Sequence, residues 1–278
     1  MIISFLSGTG APTGTTTIAA CVSAMYTANF RQRAVIFENH IPKYTGLAEA
    51  FVGSNCEMLA EQYNYGSHNI PFFYDCLEAG VKVKKLPDDM VKVLDRLYYI
   101  PQPKYYYFNN EKFDYRFAKV WDKFLRQLQR RFETIFIDLK LQNTMTTKSF
   151  LEKSDIVFLN LPQEASIIKD TMEKFDKPYK KKVKLIISRY TEGRLTLDEI
   201  SELAEVKKCD IFRIPDVRCL RQACSFGLLP EFIDKHRRDN RASELYPLIE
   251  NLRKIIRMIH KEQYGICVSS LDSSRLIG

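Results

Sequence analysis

The chain has 278 residues, of which 45% are hydrophobic, and a formal net charge of +8. This length and composition allow a substantial core in one large or two smaller α/β domains, and they exclude a disordered protein. The first apolar run stops at Leu6 and no stretch approaches the roughly 18 apolar residues of a membrane span, so neither export nor membrane insertion is expected.

The seven cysteines are scattered and form no CxxC pair. This spacing indicates neither a zinc site nor a disulfide framework, and it favours reduced thiols in a cytoplasmic protein. The positive charge favours contact with an acidic surface such as nucleic acid or anionic lipid. Two basic runs, 180–184 and 235–238, suit such a contact, but runs of this kind are more often solvated faces, and neither carries the aromatic residues of a base-stacking surface.

The first predicted unit is a strand over residues 2–6, a loop rich in glycine, serine and threonine, and the start of a helix. This order is typical of a phosphate-binding loop. In such a loop, backbone N–H groups and the helix N-terminus face the phosphates, a lysine reaches them, and a serine or threonine hydroxyl ligates Mg²⁺. Gly14 holds the position of the last loop glycine and Thr16 that of the hydroxyl, but Thr15 stands where the lysine is required.

Two further predicted strands end in acids. The strand 33–38 ends in Glu38 before a loop that contains His40, and the strand 132–138 ends in Asp138. Acids at the carboxyl ends of strands beside a phosphate loop usually manage Mg²⁺ or water, although a buried strand ending in aspartate is also common as plain structure. A lone histidine in a surface loop is likewise more often only polar.

The remaining predicted elements alternate between apolar strands and amphipathic helices. Repeated βα units of this kind predict a doubly wound α/β fold, with a mostly parallel sheet covered by helices on both faces. No linker interrupts them, so we expect a single domain over residues 1–262 and a C-terminal tail over 263–278. The pattern assigns no role to the tyrosine-rich segment 98–108. Helices are predicted at 47–60, 113–131, 165–175, 197–204, 217–226 and 242–262, and further strands at 98–100, 155–160, 183–188 and 210–214.

The last predicted helix, 242–262, has a basic polar face and an apolar face. Such a helix could lie on a membrane surface, but in a doubly wound domain the same pattern packs on the sheet, and we favour packing.

The order of these parts resembles the MinD/ParA class of P-loop ATPases over nearly the whole chain. Residues 10–17 resemble the deviant Walker A loop of that class, residues 35–40 its first acidic switch, and residues 132–138 its Walker B strand. Residues 185–189 resemble the strand that borders the base. Within the class, the short Walker loops and the segment 70–102 look most like the CpaE/TadZ branch, whose members position pilus-assembly and secretion machinery.

The resemblance implies a nucleotide site and also shows which of its charges are missing. The signature lysine that reaches across a dimer falls at Gly10, the second lysine at Thr15, the catalytic aspartate at or near His40, and the base-bordering asparagine at Ser188. The implied nucleotide-binding residues are Gly10, Gly14, Thr15, Thr16, Thr17, Ser188 and Pro215, with Thr16 and Asp138 at the metal and Glu38 and His40 as switch residues.

Loss of both lysines and the switch acid removes most of the electrostatic stabilisation on which phosphoryl transfer depends. We therefore expect a degenerate pseudo-ATPase with no catalytic residues, with weak binding of ATP and Mg²⁺ if any, that acts as a localisation or assembly scaffold. The resemblance implies a homodimer and a protein partner such as a pilus or secretion ATPase, and it allows peripheral membrane contact, including association through partners. Two alternatives stay open: a slow ATPase with a partner-supplied cation, and a ParA-like DNA-partition protein, although nucleic acid is not the favoured partner.

Overall fold

The computed structural model describes residues 1–9, 13–39, 46–53, 70–80, 90–101, 111–140, 145–175 and 177–265. Strands and helices alternate along the described chain, as the apolar pattern predicts. The strands are β1 (Ile2–Ser7), β2 (Ala34–Glu38), β3 (Val91–Lys92), β4 (Leu97–Ile100), β5 (Thr134–Lys140), β6 (Ile156–Pro162), β7 (Val183–Ser188) and β8 (Ile211–Ile214). The helices are α1 (Thr15–Phe30), α2 (Leu47–Val52), α3 (Ile70–Glu78), α4 (Glu111–Gln129), α5 (Met145–Lys153), α6 (Ala165–Lys174), α7 (Lys177–Lys180), α8 (Leu197–Ala204), α9 (Arg218–Ser225), α10 (Leu229–His236) and α11 (Tyr246–Tyr264).

The described strands form one sheet in the order β3-β4-β2-β5-β1-β6-β7-β8. Every neighbouring pair in it is parallel except β3 and β4, which are antiparallel. Parallel strands need long crossover connections, and helices supply them here. The predicted doubly wound, mostly parallel α/β fold is confirmed.

The core has two apolar layers, one on each face of the sheet, because successive strand residues point to opposite faces. In β1, Ile3 and Phe5 belong to the layer under α1, α2, α9, α10 and α11, whereas Ile2 and Leu6 belong to the layer under α3, α4, α5, α6 and α8. Helix α1 is buried along most of its length and packs on the sheet and on α10 and α11. Its position puts its N-terminus at the carboxyl ends of the strands.

Some element boundaries differ from the prediction. The helix predicted at 47–60 ends at Val52, and Gly53 follows with φ of 67° and ψ of −141°, a conformation that favours glycine. Residues 54–60 of that prediction lie outside the described residues. Helices α5 and α10 are short and were not predicted. The closing helix starts later than predicted, at Tyr246, where Pro247 occupies its first turn, and it continues to Tyr264. Residues 102–108 of the tyrosine-rich segment lie outside the described residues.

The closing helix α11 packs on the sheet, as expected. Its apolar face is buried against the layer that also covers α1, so this face is not a membrane-binding surface. Among the described residues, no helix combines the length and the apolar character needed to cross a bilayer. The buried residues of this face are Leu248, Ile249, Leu252, Ile255, Ile256 and Ile259.

Candidate phosphate-loop site

Five neighbouring strands carry a polar side chain on the α1 face of the sheet, at or near their carboxyl ends. The register places Glu38 beside Asp138 and Ser7 beside Asn160. Ligand sites of parallel α/β sheets lie at this edge. The five residues, in their order across the sheet, are Glu38 on β2, Asp138 on β5, Ser7 on β1, Asn160 on β6 and Ser188 on β7. Each follows by two positions a residue of the layer under α1, namely Ile36, Phe136, Phe5, Phe158 and Ile186.

Helix α1 begins at this edge with an open N-terminus. Gly14 precedes it with φ of 75° and ψ of 19°, a left-handed conformation that glycine adopts without strain. No side chain caps the first turn, and a Cβ built on Gly14 would meet no heavy atom of the described residues within 4 Å. Because the first N–H groups of a helix and its dipole attract anions, the turn keeps the shape that the sequence predicts for a phosphate site. That an anion binds there stays a prediction.

Thr16 and Asp138, the predicted metal pair, meet directly. The Thr16 hydroxyl donates a hydrogen bond of 2.6 Å to Asp138 Oδ2, although the residues are 122 positions apart. Hard oxygen ligands of this kind suit Mg²⁺, which usually takes one or two carboxylates and completes its shell with water and phosphate oxygens. The described residues contain no group of three or more His, Cys, Asp or Glu side chains placed to hold a metal. A metal at this pair would therefore depend on phosphate and water for its other ligands.

Thr15, at the position where a lysine is required, is turned into the protein and is only 6% exposed. Its Oγ1 lies 2.9 Å from Thr13 Oγ1 and accepts a hydrogen bond of 3.2 Å from Asn160 Nδ2. Asn160 also donates to the carbonyl oxygen of Thr13 at 3.0 Å and accepts from the Ser188 hydroxyl. The Thr15 hydroxyl therefore has hydrogen-bond partners within the protein.

Glu38 is buried, with 1% of its surface exposed, and both of its carboxylate oxygens are engaged. Oε1 accepts a hydrogen bond of 2.7 Å from the backbone N–H of Leu47, and Oε2 accepts one of 3.3 Å from the Tyr99 hydroxyl. A carboxylate at a helix N-terminus is favourable, so Glu38 anchors α2 to the sheet. This structural role was not predicted, and the role of Glu38 as a switch residue stays a prediction.

The other predicted site residues lie around the same edge. Thr17 is in the first turn of α1 and hydrogen-bonds Cys224. Burial raises the pKa of the Cys224 thiol to about 11, although this hydrogen bond from Thr17 opposes the rise, so the group is a neutral thiol at physiological pH. Pro215 follows β8 and is half-buried. Gly10 and His40 lie outside the described residues.

Asn160, Ser7 and Thr13 were not predicted as site residues. Asn160 carries a sequence signal, because it interrupts the otherwise apolar run Ile156–Pro162. A buried amide is costly unless it is hydrogen-bonded, so a polar residue in such a strand predicts partners nearby. The strand sequence does not name those partners.

No protein-family model matches the chain, and no curated protein matches it in sequence. Solved structures do. MinD from Pyrococcus horikoshii OT3, complexed with Mg-ADP, is 16% identical with a TM-score of 0.67 over 94% of this chain and 96% of its own. A ParA family ATPase from Chlorobium tepidum TLS is 15% identical with a TM-score of 0.66 over 92% of this chain and 98% of its own. The MinC:MinD cell division complex of Aquifex aeolicus gives a TM-score of 0.62 at 16% identity, over 93% of this chain and 95% of that one. Identities this low establish the fold alone: the chain has the fold of the MinD and ParA P-loop ATPases.

Proposed function

We propose that the chain is a degenerate MinD/ParA-like pseudo-ATPase that acts as a localisation or assembly scaffold through protein contacts. The inward position of Thr15 carries this proposal. A P-loop needs a positive charge here that reaches the β- and γ-phosphates. Thr15 is neutral, and its hydroxyl is hydrogen-bonded to Thr13 and Asn160.

The absence of a lysine at position 15 should slow phosphoryl transfer strongly. Hydrogen bonds to charged groups contribute about 1.5–3 kcal/mol each. A transition-state contact worth about 3 kcal/mol changes a rate roughly a hundredfold. Glu38 lowers the expected rate further, because its carboxylate is already hydrogen-bonded to Leu47 and Tyr99.

The site fits Mg²⁺ better than it fits a free triphosphate. Thr16 and Asp138 would hold the ion through their oxygens, and the N-terminus of α1 would face the phosphates. Bound Mg²⁺ would neutralise phosphate charge in the place of a side chain. We expect residual nucleotide binding that depends on Mg²⁺.

The scaffold part of the proposal is supported by the likeness to MinD in its complex with MinC, which makes a protein partner reasonable for this fold. The finer assignment to the CpaE/TadZ branch, and with it a pilus or secretion ATPase as partner, rests on the sequence resemblance. We further propose a homodimer that forms without nucleotide, because Gly10 stands where a lysine would bridge to the phosphates of a partner.

One observation favours a second candidate, a slow ATPase with a cation supplied by a partner. The Thr16–Asp138 pair keeps the arrangement expected of a metal site. A DNA-partition function receives less support, because several side chains of the basic runs already have partners within the protein. Lys184 pairs with Asp210 at 2.7 Å, Lys182 donates to the Glu152 carbonyl oxygen at 2.7 Å, and Arg237 pairs with Asp234 at 3.2 Å.

The test is phosphate release and ATP–Mg²⁺ binding by the purified protein beside an Asp138→Ala variant. We expect equal, background-level release from both. Asp155→Ala is the matched control, because Asp155 lies at the opposite edge of the sheet, where its carboxylate accepts from the N–H of Ile2. Turnover well above background that disappears in Asp138→Ala and persists in Asp155→Ala would establish the slow ATPase.

The scaffold is tested by co-purification and by sedimentation with and without ATP–Mg²⁺. We expect a stable protein partner and a dimer in both conditions. A monomer that dimerises only with ATP would show that the nucleotide site is functional. Binding to DNA that weakens steeply as salt rises would instead support the partition protein.

A further inference from the structure

A chain of hydrogen bonds runs from the end of β7, across β6, into the two described ends of the loop before α1. Its contacts join side chains from three strands, β7, β6 and β1, to residues on either side of positions 10–12. The chain links, in order, Ser188, Asn160, Thr15, Thr13, Ser7 and the carbonyl oxygen of Thr9.

The direction of donation in this chain follows from its fixed groups. The carbonyl oxygen of Thr13 can only accept, so the group that lies 3.0 Å from it is the amide nitrogen of Asn160. The amide oxygen of Asn160 then accepts from the Ser188 hydroxyl. The second amide proton is donated to Thr15 Oγ1 at 3.2 Å.

The remaining hydroxyl groups continue in the same direction. Ser7 has one hydroxyl proton and gives it to the carbonyl oxygen of Thr9, so Ser7 accepts from Thr13, and Thr13 in turn accepts from Thr15, whose Oγ1 lies 2.9 Å away. Thr13 donates to Ser7 Oγ at 3.1 Å, and Ser7 donates to the carbonyl oxygen of Thr9 at 2.9 Å. In the reverse direction, the Thr15 proton would have no acceptor within this series of hydrogen bonds, because Asn160 Nδ2 is a donor. One arrangement therefore satisfies every contact.

We propose that Asn160 is the positioning residue of the phosphate loop: its amide holds Thr13 and Thr15 in place without a cation, and Ser188 sets the orientation of that amide. Asn160 is 1% exposed, and both of its amide protons and its oxygen are engaged. Hydrogen bonds that run in one direction polarise one another, which strengthens the set. Thr13 and Thr15 are thereby held in place before any ligand arrives.

This arrangement also assigns the contacts that a bound phosphate can make. The Thr15 hydroxyl donates its only proton to Thr13. The Thr16 hydroxyl likewise donates to Asp138, so among the described loop residues contact with phosphate is left to the backbone N–H groups of the turn at Gly14. The inference deepens the proposed function, since it concerns the same site, but the order of the loop can be measured without a ligand.

The experiment follows amide exchange at two hydrogen-bonded groups by NMR in the full chain. The N–H of Gly8 donates to the Asn160 carbonyl oxygen at 3.1 Å, and the N–H of Ile18 donates to Gly14 at 3.0 Å. Asn160→Leu and Thr15→Val are expected to accelerate exchange at both groups about tenfold. Thr15→Ser keeps the hydroxyl and is expected to restore the wild-type rate.

Thr171→Val is the matched control, because Thr171 donates to the Gly8 carbonyl oxygen at 3.4 Å but is not a member of this series of hydrogen bonds. It is expected to leave exchange at Ile18 unchanged. Wild-type exchange in a folded Asn160→Leu variant would overturn the proposal, and so would Thr15→Ser behaving as Thr15→Val does. If Asn160→Leu does not fold, Ser188→Ala decides, since it removes only the terminal hydroxyl: faster exchange at Ile18 supports the proposal, and no change contradicts it.

A titration with inorganic tripolyphosphate and Mg²⁺ adds the ligand arm. Asn160→Leu is expected to bind about tenfold more weakly than the wild type. An equal affinity in the two proteins would contradict the positioning role. Absence of binding by the wild type would overturn the proposed phosphate site, while the exchange rates would still decide the role of Asn160.

Discussion

The carboxylate of Glu38 accepts a hydrogen bond of 2.7 Å from the backbone N–H of Leu47, the first residue of α2. Its second oxygen accepts a hydrogen bond of 3.3 Å from the Tyr99 hydroxyl on β4. One buried side chain therefore joins two neighbouring strands to the helix that follows the first of them. An acid that the sequence suggests as a switch is thus part of the framework around the site.

Replacement of Glu38 should consequently lower stability. Glu38→Ala removes the acceptor from two buried donors, and each such loss costs about 1–3 kcal/mol. Tyr99→Phe removes only one of the two hydrogen bonds and should cost about 0.5–1.5 kcal/mol. Urea unfolding of the two variants measures both values. A Glu38→Ala variant as stable as the wild type would show that this contact does not anchor α2.

Gly53 gives a second prediction about stability. A Cβ built on it would lie 2.3 Å from the backbone oxygen of Phe226, and its φ is 67°. Gly53→Ala should therefore be strongly destabilising, because the backbone at Gly53 and the backbone at Phe226 would have to move apart. Gly80→Ala is the matched control, since Gly80 has a φ of 71° but a Cβ there meets nothing within 4 Å among the described residues.

The control variant should show the cost of the left-handed backbone alone, roughly 1–2 kcal/mol. The difference in unfolding free energy between the two variants then reports the close approach of the chain at Gly53 together with the strain of its ψ of −141°, which lies outside the αL region. Equal losses in the two variants would mean that α2 and the segment after α9 do not meet as described.

Restoring the missing cation is the third prediction. Thr15→Lys breaks the hydrogen bonds to Thr13 and Asn160, but it supplies an ammonium group next to Gly14, where a Cβ meets no heavy atom of the described residues within 4 Å. A charge-assisted contact with phosphate should strengthen binding of ATP–Mg²⁺ about tenfold or more. Phosphate release should stay at background, since His40 still stands near the position of the switch acid.

Calorimetric titration beside Thr15→Met separates charge from length in this experiment. Methionine has a similar reach without the charge, so it should leave the affinity at or below that of the wild type. If the Met and Lys variants bind equally well, the missing charge is not what limits nucleotide binding.

The fourth prediction concerns pH. The ring of His260 stacks on Phe30 with centroids 4.1 Å apart and lies 4.8 Å from Tyr264. Within the described residues its buried Nδ1 has no hydrogen-bond partner. Burial lowers the pKa of His260 below its ordinary value of 6.5.

The unfolded chain therefore takes up this proton at a higher pH than the folded chain does. The stabilisation is fully present above 6.5 and is lost as the pH falls from there through the lower pKa of the folded state. Urea unfolding from about pH 7 to about pH 5 should show a smaller loss of stability in His260→Phe than in the wild type. An identical pH dependence in the two proteins would contradict the burial of this ring.

Much of the fold is predictable from the sequence, because it depends on local pattern. The apolar runs of β1, β5, β6 and β7 alternate with amphipathic helices, and such runs are buried on both faces only in a parallel sheet. The spacing of Gly14 and Thr16 after β1, together with Asp138 in β5, likewise predicts that Thr16 and Asp138 lie at one site, and the structure brings the two side chains together. That they hold a metal stays a prediction. These features need only the order of the elements along the chain.

The tertiary structure alone decided the partners of the buried polar groups. Asn160 reaches Thr15 because β6 lies beside β1 with Asn160 in register with Ser7. Glu38 reaches Leu47 because α2 starts over the end of β2. Strand order and register set these distances, and both result from packing over the whole sheet rather than from spacing along the sequence. For this reason the sequence predicts that a lysine is missing at Thr15, whereas only the fold shows that the Thr15 hydroxyl contacts Thr13 and Asn160.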